Sequence, residues 1–179
     1  KSDPLERTMV LSHEVNRGLP AARNTGSSVA SGDYIWHVDG DDFLSTNTAI
    51  SDIVLILNKE NCPVLRIGMW DMKKIVSQSH LHKKLQSKKF ETSTHPTKKF
   101  IEEHGFSSIF CYIISRDFLL KFNIHSLENI SIGEDQIFLS LVFKFTTYIV
   151  KFNKPLYVYD RTNNSMMRRK WGINQFLED

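Results

Sequence analysis

Tyr34-Ile35-Trp36-His37-Val38-Asp39-Gly40-Asp41-Asp42 is the stretch on which the fold turns. A run of bulky, partly β-branched residues bounded by Gly32 and Gly40 reads as a buried strand. Asp is a poor strand residue, so the acids are expected just past the strand end, where the chain turns. Carboxylates set this close repel one another unless a cation or a protonated neighbour offsets the charge. Hard divalent cations favour such oxygen ligands, and ligands of α/β sheets bind at the carboxyl ends of strands. The pattern implies metal-assisted chemistry on a phosphate-bearing substrate.

Upstream, Asn16-Arg17-Gly18-Leu19-Pro20-Ala21-Ala22-Arg23-Asn24-Thr25-Gly26 predicts a helix that starts near Pro20 and stops by Gly32. Ala21, Ala22, Gly26 and Ala30 are small enough to let it lie close to a sheet. Arg23 and Asn24 fall in its first turns, where free amides favour an anion and a guanidinium matches phosphate oxygens. Downstream, Ile50, Ile53, Val54 and Leu57 have helical spacing. Pro63–Trp70 and Ser108–Ile114 read as strands, and Arg116–Leu120 opens a short helix. Glu134–Phe145 is an amphipathic helix, with Ile137, Leu141 and Phe145 four residues apart; Tyr148–Phe152 and Leu156–Tyr159 read as two closing strands. Thr8–Ser12 is an expected strand near the start. Strand and helix alternate, as an α/β sheet requires.

With 179 residues and 41% hydrophobic content, the chain can bury one substantial core, so 1–179 is read as a single domain. No apolar run approaches the ~20 residues that span a bilayer. Cys62 and Cys111 have no metal-type spacing and are expected to be buried free thiols in a reducing compartment. A net charge of +3 does not point to nucleic acid. Residues 71–100 concentrate lysines (Lys73, Lys74, Lys83, Lys84, Lys88, Lys89, Lys98 and Lys99) and predict a mobile basic excursion. It is either a solvated surface or a contact for an anionic partner such as a membrane. His80, His82 and His95 share the stretch without an evident third metal ligand. Residues 160–179, with Arg161, Arg168, Arg169 and Lys170, read as a basic tail or, by the family resemblance that follows, as a lid.

The blocks Asn16-x-Gly18-x-x-x-Ala22-Arg23-Asn24-x-Gly26, Ala30-x-Gly32-x-Tyr34-Ile35 and Asp39-x-Asp41-Asp42 together resemble the nucleotide-sugar core of family-2 glycosyltransferases. Gly133-Glu134-Asp135-Gln136-Ile137-Phe138 and Lys154-Pro155-Leu156-Tyr157-Val158-Tyr159 continue the likeness in order. The resemblance implies an α/β GT-A fold, a mixed, mostly parallel sheet flanked by helices. It also implies a preceding strand–helix–strand unit that reads the nucleotide base, for which Lys1–Arg7 is too short; the domain is therefore expected to be partial.

What the resemblance implies for chemistry is transfer of a sugar from a nucleoside diphosphate, most simply a UDP-sugar, to a hydroxyl acceptor by inverting single displacement. Mn²⁺ or Mg²⁺ would be held by Asp41, with Asp39 supporting the metal and contacting the ribose. Asp42 would orient the sugar or cap the next turn. Arg23, Asn24, Asp39, Gly40 and Asn16 are the implied nucleotide-sugar contacts, although Asn16 and Asn24 are read first as holding loop geometry. Asp135 is the implied general base and Glu134 the alternate; both acids could instead simply cap their helix and complement its dipole, at about 0.3–1 kcal/mol. The implied acceptor is a glycan, capsule, lipopolysaccharide or other lipid-linked unit, and the place of action the cytoplasmic face of a membrane. His37 is expected to be a buried, hydrogen-bonded histidine.

Three rival readings compete with this one. An EF-hand counted from Asp39 needs Gly at its sixth position and Glu at its twelfth, where Leu44 and Ile50 stand. A haloacid-type phosphatase expects Thr or Val where Phe43 stands, and leaves Arg23-Asn24 and Glu134-Asp135 without a role. The remaining alternative is a non-catalytic nucleotide- or glycan-binding remnant of a glycosyltransferase.

Overall fold

The computed structural model describes residues 8–72, 90–130 and 132–160. Asn16 begins the order of the chain: its Oδ1 accepts the Gly18 amide at 2.9 Å, and Gly18 takes φ +81°, so the backbone turns into α1, Gly18–Val29. Ala21 is fully buried beneath this helix, as its small side chain allows. The chain then forms β1 (Tyr34–Trp36), a turn carrying the acids, β2 (Phe43–Leu44), α2 (Ala49–Glu60) and β3 (Val64–Asp71). After residues 73–89 come β4 (Thr92–Pro96), α3 (Thr97–His104), a 3₁₀ turn (Ile109–Cys111), β5 (Tyr112–Ser115), α4 (Arg116–Lys121), α5 (Glu134–Phe145) and β6 (Tyr148–Tyr159).

The strands form one sheet in the order β1-β5-β3-β6-β2, with β4 also pairing β6. It is mixed, as expected, but its balance differs from the expectation of a mostly parallel sheet. Among the described strands only β3–β6 is parallel, whereas β1–β5, β3–β5, β2–β6 and β4–β6 are antiparallel. β5 accounts for two of these, running between β1 and β3 in the opposite sense, and β2 and β4 each run against β6. The core lies along β3, β5 and β6, where Leu65, Ile67, Tyr112, Leu156 and Tyr157 are fully buried; Phe138, Leu139 and Val142 of α5 pack against it.

Several boundaries differ from the sequence reading. Thr8–Ser12 is not a strand: Met9 and Val10 are exposed, and β1 pairs with β5 alone among the described strands. Without a ladder partner, an apolar run does not make sheet. Ser108–Ile114 divides into the 3₁₀ turn and β5. Part of the expected basic excursion is ordered sheet and helix, since Thr92–Pro96 pairs with Tyr148–Phe152 and Thr97–His104 is helical. Residues 73–89, with their lysines and with His80 and His82, lie outside the described residues, as do Lys1–Arg7 and the 161–179 tail. No helix among the described residues is long and apolar enough to cross a membrane. Cys62 and Cys111 are buried and free, and burial pushes each thiol up to about 11.

The two expected closing strands are one continuous strand, and Gly68 explains how. Ile67 pairs with Phe152 but Gly68 pairs with Pro155, so β6 bulges past a single step of β3. A Cβ on Gly68 would lie 3.0 Å from Lys154 O and from Pro155 Cα and N, all backbone. Gly68→Ala is therefore expected to destabilise the fold by roughly 1–3 kcal/mol, read as a lower urea midpoint. An unchanged midpoint would mean that the bulge yields freely.

Candidate active site

The first acids leave β1 where the strand ends. Asp39 begins a tight turn closed by the Asp42 amide donating to Asp39 O at 3.1 Å, so the three acids sit on a turn rather than in a strand. Tyr157, at the far end of β6, braces this turn. Its hydroxyl accepts from the Asp39 amide at 3.1 Å and donates to Asp42 Oδ2 at 2.5 Å, while the Asp160 amide donates to Asp42 Oδ1 at 2.8 Å. The Asp42 carboxylate is thus tied to the far end of β6 rather than to the turn that follows it. Tyr157 is positioned in turn by Phe110, with ring centroids 4.3 Å apart and planes 5° from parallel.

The second acids arrive from α5. Gly133 takes φ +78° and admits the chain to the helix, which places Glu134 and Asp135 in its first turn. The buried Arg23 of α1 reaches between the two sets. Its Nη1 donates to Asp135 Oδ1 and lies 3.4 Å from Glu134 Oε1, and its Nη2 lies 3.4 Å from Asp39 Oδ1. The other oxygen of Asp135, Oδ2, accepts the Ile109 amide at 3.1 Å. Arg23, an expected nucleotide-sugar contact, has its guanidinium beside three carboxylates.

This leaves an excess of negative charge. One arginine faces Asp39, Glu134 and Asp135, with Asp41 and Asp42 nearby. Burial raises the Asp39 carboxyl above its ordinary range, opposed by Arg23 and reinforced by Asp135. Burial, then the charge of Asp135, raises Glu134. Asp42 is also raised, chiefly by burial, against its hydrogen bond from Tyr157. Asp41 is exposed and makes no hydrogen bond among the described residues. Acids in this condition gain from a divalent cation. The donor atoms of Asp39, Asp41 and Asp42 do not converge into one three-ligand cluster. The residues fit an ion held by one or two carboxylates and completed by a diphosphate, the usual Mg²⁺-type arrangement.

The other candidates separate clearly. Asn24 Nδ2 donates to Ser126 O at 2.8 Å and its Oδ1 accepts the Ser126 amide at 2.9 Å, which ties α1 to a distant loop. Asn16 shapes the entry to α1. Both amides thus hold loop geometry. Gly40 is exposed, and a Cβ there would meet nothing within 4 Å, so neither packing nor strain demands glycine. His37 is half-buried against Phe138, with ring centroids 6.0 Å apart. Burial, helped by Arg23, pushes it down to about 4, so it is neutral near pH 7. It makes no hydrogen bond among the described residues, contrary to expectation. A cleft of about 470 Å³ runs along β1 and α1, bordered by Arg23, Gly26, Trp36, His37 and Asp39. That is a volume suited to a small ligand.

An α/β sheet that delivers an acidic turn beside a helix-borne acid pair is the GT-A architecture, and solved structures of that type superpose on this chain. S. aureus TarS 1-349 in complex with UDP-GlcNAc matches with a TM-score of 0.71 and 21% identity, over 89% of this chain and 44% of that one. The same protein in complex with UDP gives a TM-score of 0.66 at 22% identity, over 82% and 41%. In sequence, residues 4–119 match Glycosyl transferase family 2, and the chain belongs to that family. It is 25% identical over 157 residues to a Bacillus subtilis (strain 168) protein described as "Uncharacterized glycosyltransferase EpsJ", covering 86% of this chain and 45% of that protein. The chain thus spans less than half the length of these relatives.

Proposed function

We propose that this chain supplies the catalytic centre of an inverting glycosyltransferase that moves a sugar from a UDP-sugar to a hydroxyl acceptor. The observation that carries the reading is Arg23, which joins Asp39 to Asp135, acids of two blocks far apart in the sequence, into one centre. That TarS is solved with UDP-GlcNAc and with UDP supports the choice of donor.

Asp135 is the general base. It takes the proton of the acceptor hydroxyl as that oxygen forms its bond to the anomeric carbon and the bond to the diphosphate oxygen breaks. Arg23 and the Ile109 amide fix the orientation of its carboxylate, and two hydrogen bonds leave further acceptor sites on its oxygens. Glu134 is the alternate base. Asp41, with Asp39, would hold Mn²⁺ or Mg²⁺, which supplies positive charge against the departing diphosphate. Asp39 also contacts the ribose, Gly40 leaves room beside the donor, and Asn16 and Asn24 shape the loops around it. The acceptor is a glycan or lipid-linked unit, reached from the cytoplasmic face of a membrane, where the basic stretch would meet anionic lipid.

The test is release of UDP from a panel of UDP-sugars with Mn²⁺ and after chelation. Turnover that needs the metal is expected. Metal-dependent binding of UDP without release from any donor would favour the non-catalytic remnant.

A further inference from the structure

A second set of metal-type ligands lies on the edge of the sheet, formed by β4 and α3. His95 Nδ1 is 3.8 Å from Glu103 Oε2, His104 Nε2 is 4.0 Å from the same oxygen, and all three ligand atoms lie within 4.8 Å of one another. From this geometry we propose that His95, Glu103 and His104 bind a zinc-class divalent cation, at a site independent of the acidic turn.

The chemistry of the set separates it from the donor site. Two imidazoles and one carboxylate are the ligands of a borderline ion such as Zn²⁺, whereas Mg²⁺ favours oxygen alone. Ligands about 2.0–2.2 Å from a tetrahedral Zn²⁺ stand about 3.4 Å from one another; the two imidazole nitrogens, within 4.8 Å, have the furthest to come, and each pair that includes Glu103 has little distance to close. Glu103, whose side chain is 42% exposed, is free to close it. Water would take the fourth position.

Three further observations point to a cation here. His95 Nε2 is 2.9 Å from Ser93 Oγ, an outer hydrogen bond that leaves Nδ1 as the ligand nitrogen, the arrangement that orients metal-bound histidines. Lys151 Nζ lies 3.2 Å from His104 Nε2, and an ammonium can only donate, so that nitrogen presents a lone pair. Lys151 thus stands in for the cation. Glu103 and His104 occupy the last turn of α3, where the helix dipole favours positive charge. The fully buried Phe100 holds both imidazoles in place, at centroid distances of 6.0 Å from His95 and 4.9 Å from His104. Lys99, 3.7 Å from Glu103 Oε1, and Arg66, paired with Lys151 across β3 and β6, compete with the ion.

Calorimetric titration with Zn²⁺ in excess Mg²⁺ tests the site, on the wild type and on His95→Gln, His104→Gln, Ser93→Ala and Lys151→Met. One Zn²⁺ equivalent is expected to be lost in either histidine variant, weakened about tenfold by Ser93→Ala, and tightened by Lys151→Met. At about a hundredfold excess over Kd, Zn²⁺ should raise Tm by roughly 5–10 °C in the wild type and not in His104→Gln. Matching circular dichroism and Tm in chelator would establish that the variants fold, and unchanged UDP binding would keep this result separate from the donor site. Zn²⁺ binding that survives both histidine substitutions, or no binding by the wild type, would overturn the proposal.

Discussion

Asp135→Asn is expected to lower UDP-sugar turnover by about 10²–10⁴-fold while leaving UDP affinity near that of the wild type. The amide has the shape of the carboxylate but cannot take the acceptor proton. It can still accept one of the two hydrogen bonds now given by Arg23 and the Ile109 amide; the other donor would face an NH₂ group. Some loss of stability should follow, so initial rates are to be compared only between variants shown to be folded. Glu134→Gln is the paired control, and its effect should be smaller because Glu134 meets Arg23 only at 3.4 Å. If Glu134→Gln abolished turnover and Asp135→Asn kept it, the base would be Glu134.

Arg23→Met is expected to cost about 3–5 kcal/mol of stability at pH 7.5, the usual penalty for breaking a buried ion pair from one side. Arg23 has a side chain only 7% exposed and faces Asp39, Glu134 and Asp135. Burial already raises the Asp39 and Glu134 carboxyls, and Arg23 opposes that rise. Without the guanidinium they climb further above their unfolded values. A carboxyl raised in the folded state contributes its stability below the unfolded pKa, and that stability is lost as pH rises through the folded pKa. The deficit of the variant should therefore shrink as pH falls from 7.5 toward 4. Urea unfolding at both pH values measures it. An equal deficit at both would assign the loss to packing rather than to charge.

Where the sequence was legible, periodicity and local turn chemistry had no competitor. Glu134–Phe145 is helical over the span that its apolar spacing predicts, and the acids of Asp39–Asp42 fall past the strand end. Thr92–Pro96 gave no such signal, because an edge strand that, among the described strands, pairs only with β6 and buries little has no need of apolar alternation. Thr8–Ser12 erred in the other direction, since apolar content alone cannot supply a neighbour.

The site residues follow the same division. Their types and order marked Arg23, Asp39, Glu134 and Asp135, but not which of them would meet. The pairing of Arg23 with Asp135 and that of Asn24 with Ser126 are tertiary contacts with no local signature. Tyr157 stood within a recognised block yet had no evident role. Only the path of β6 carries its hydroxyl to the acidic turn.

The central claim is that the turn after β1 holds a nucleoside diphosphate through a divalent ion. Calorimetric titration with UDP, with and without Mn²⁺, on the wild type and on Asp41→Ala, tests it most directly. Asp41 is exposed and bears no hydrogen bond among the described residues, so its removal should leave the fold intact. The predicted result is UDP binding that requires Mn²⁺ and disappears in Asp41→Ala. UDP binding that ignores the metal and is equally strong in the variant would contradict the account.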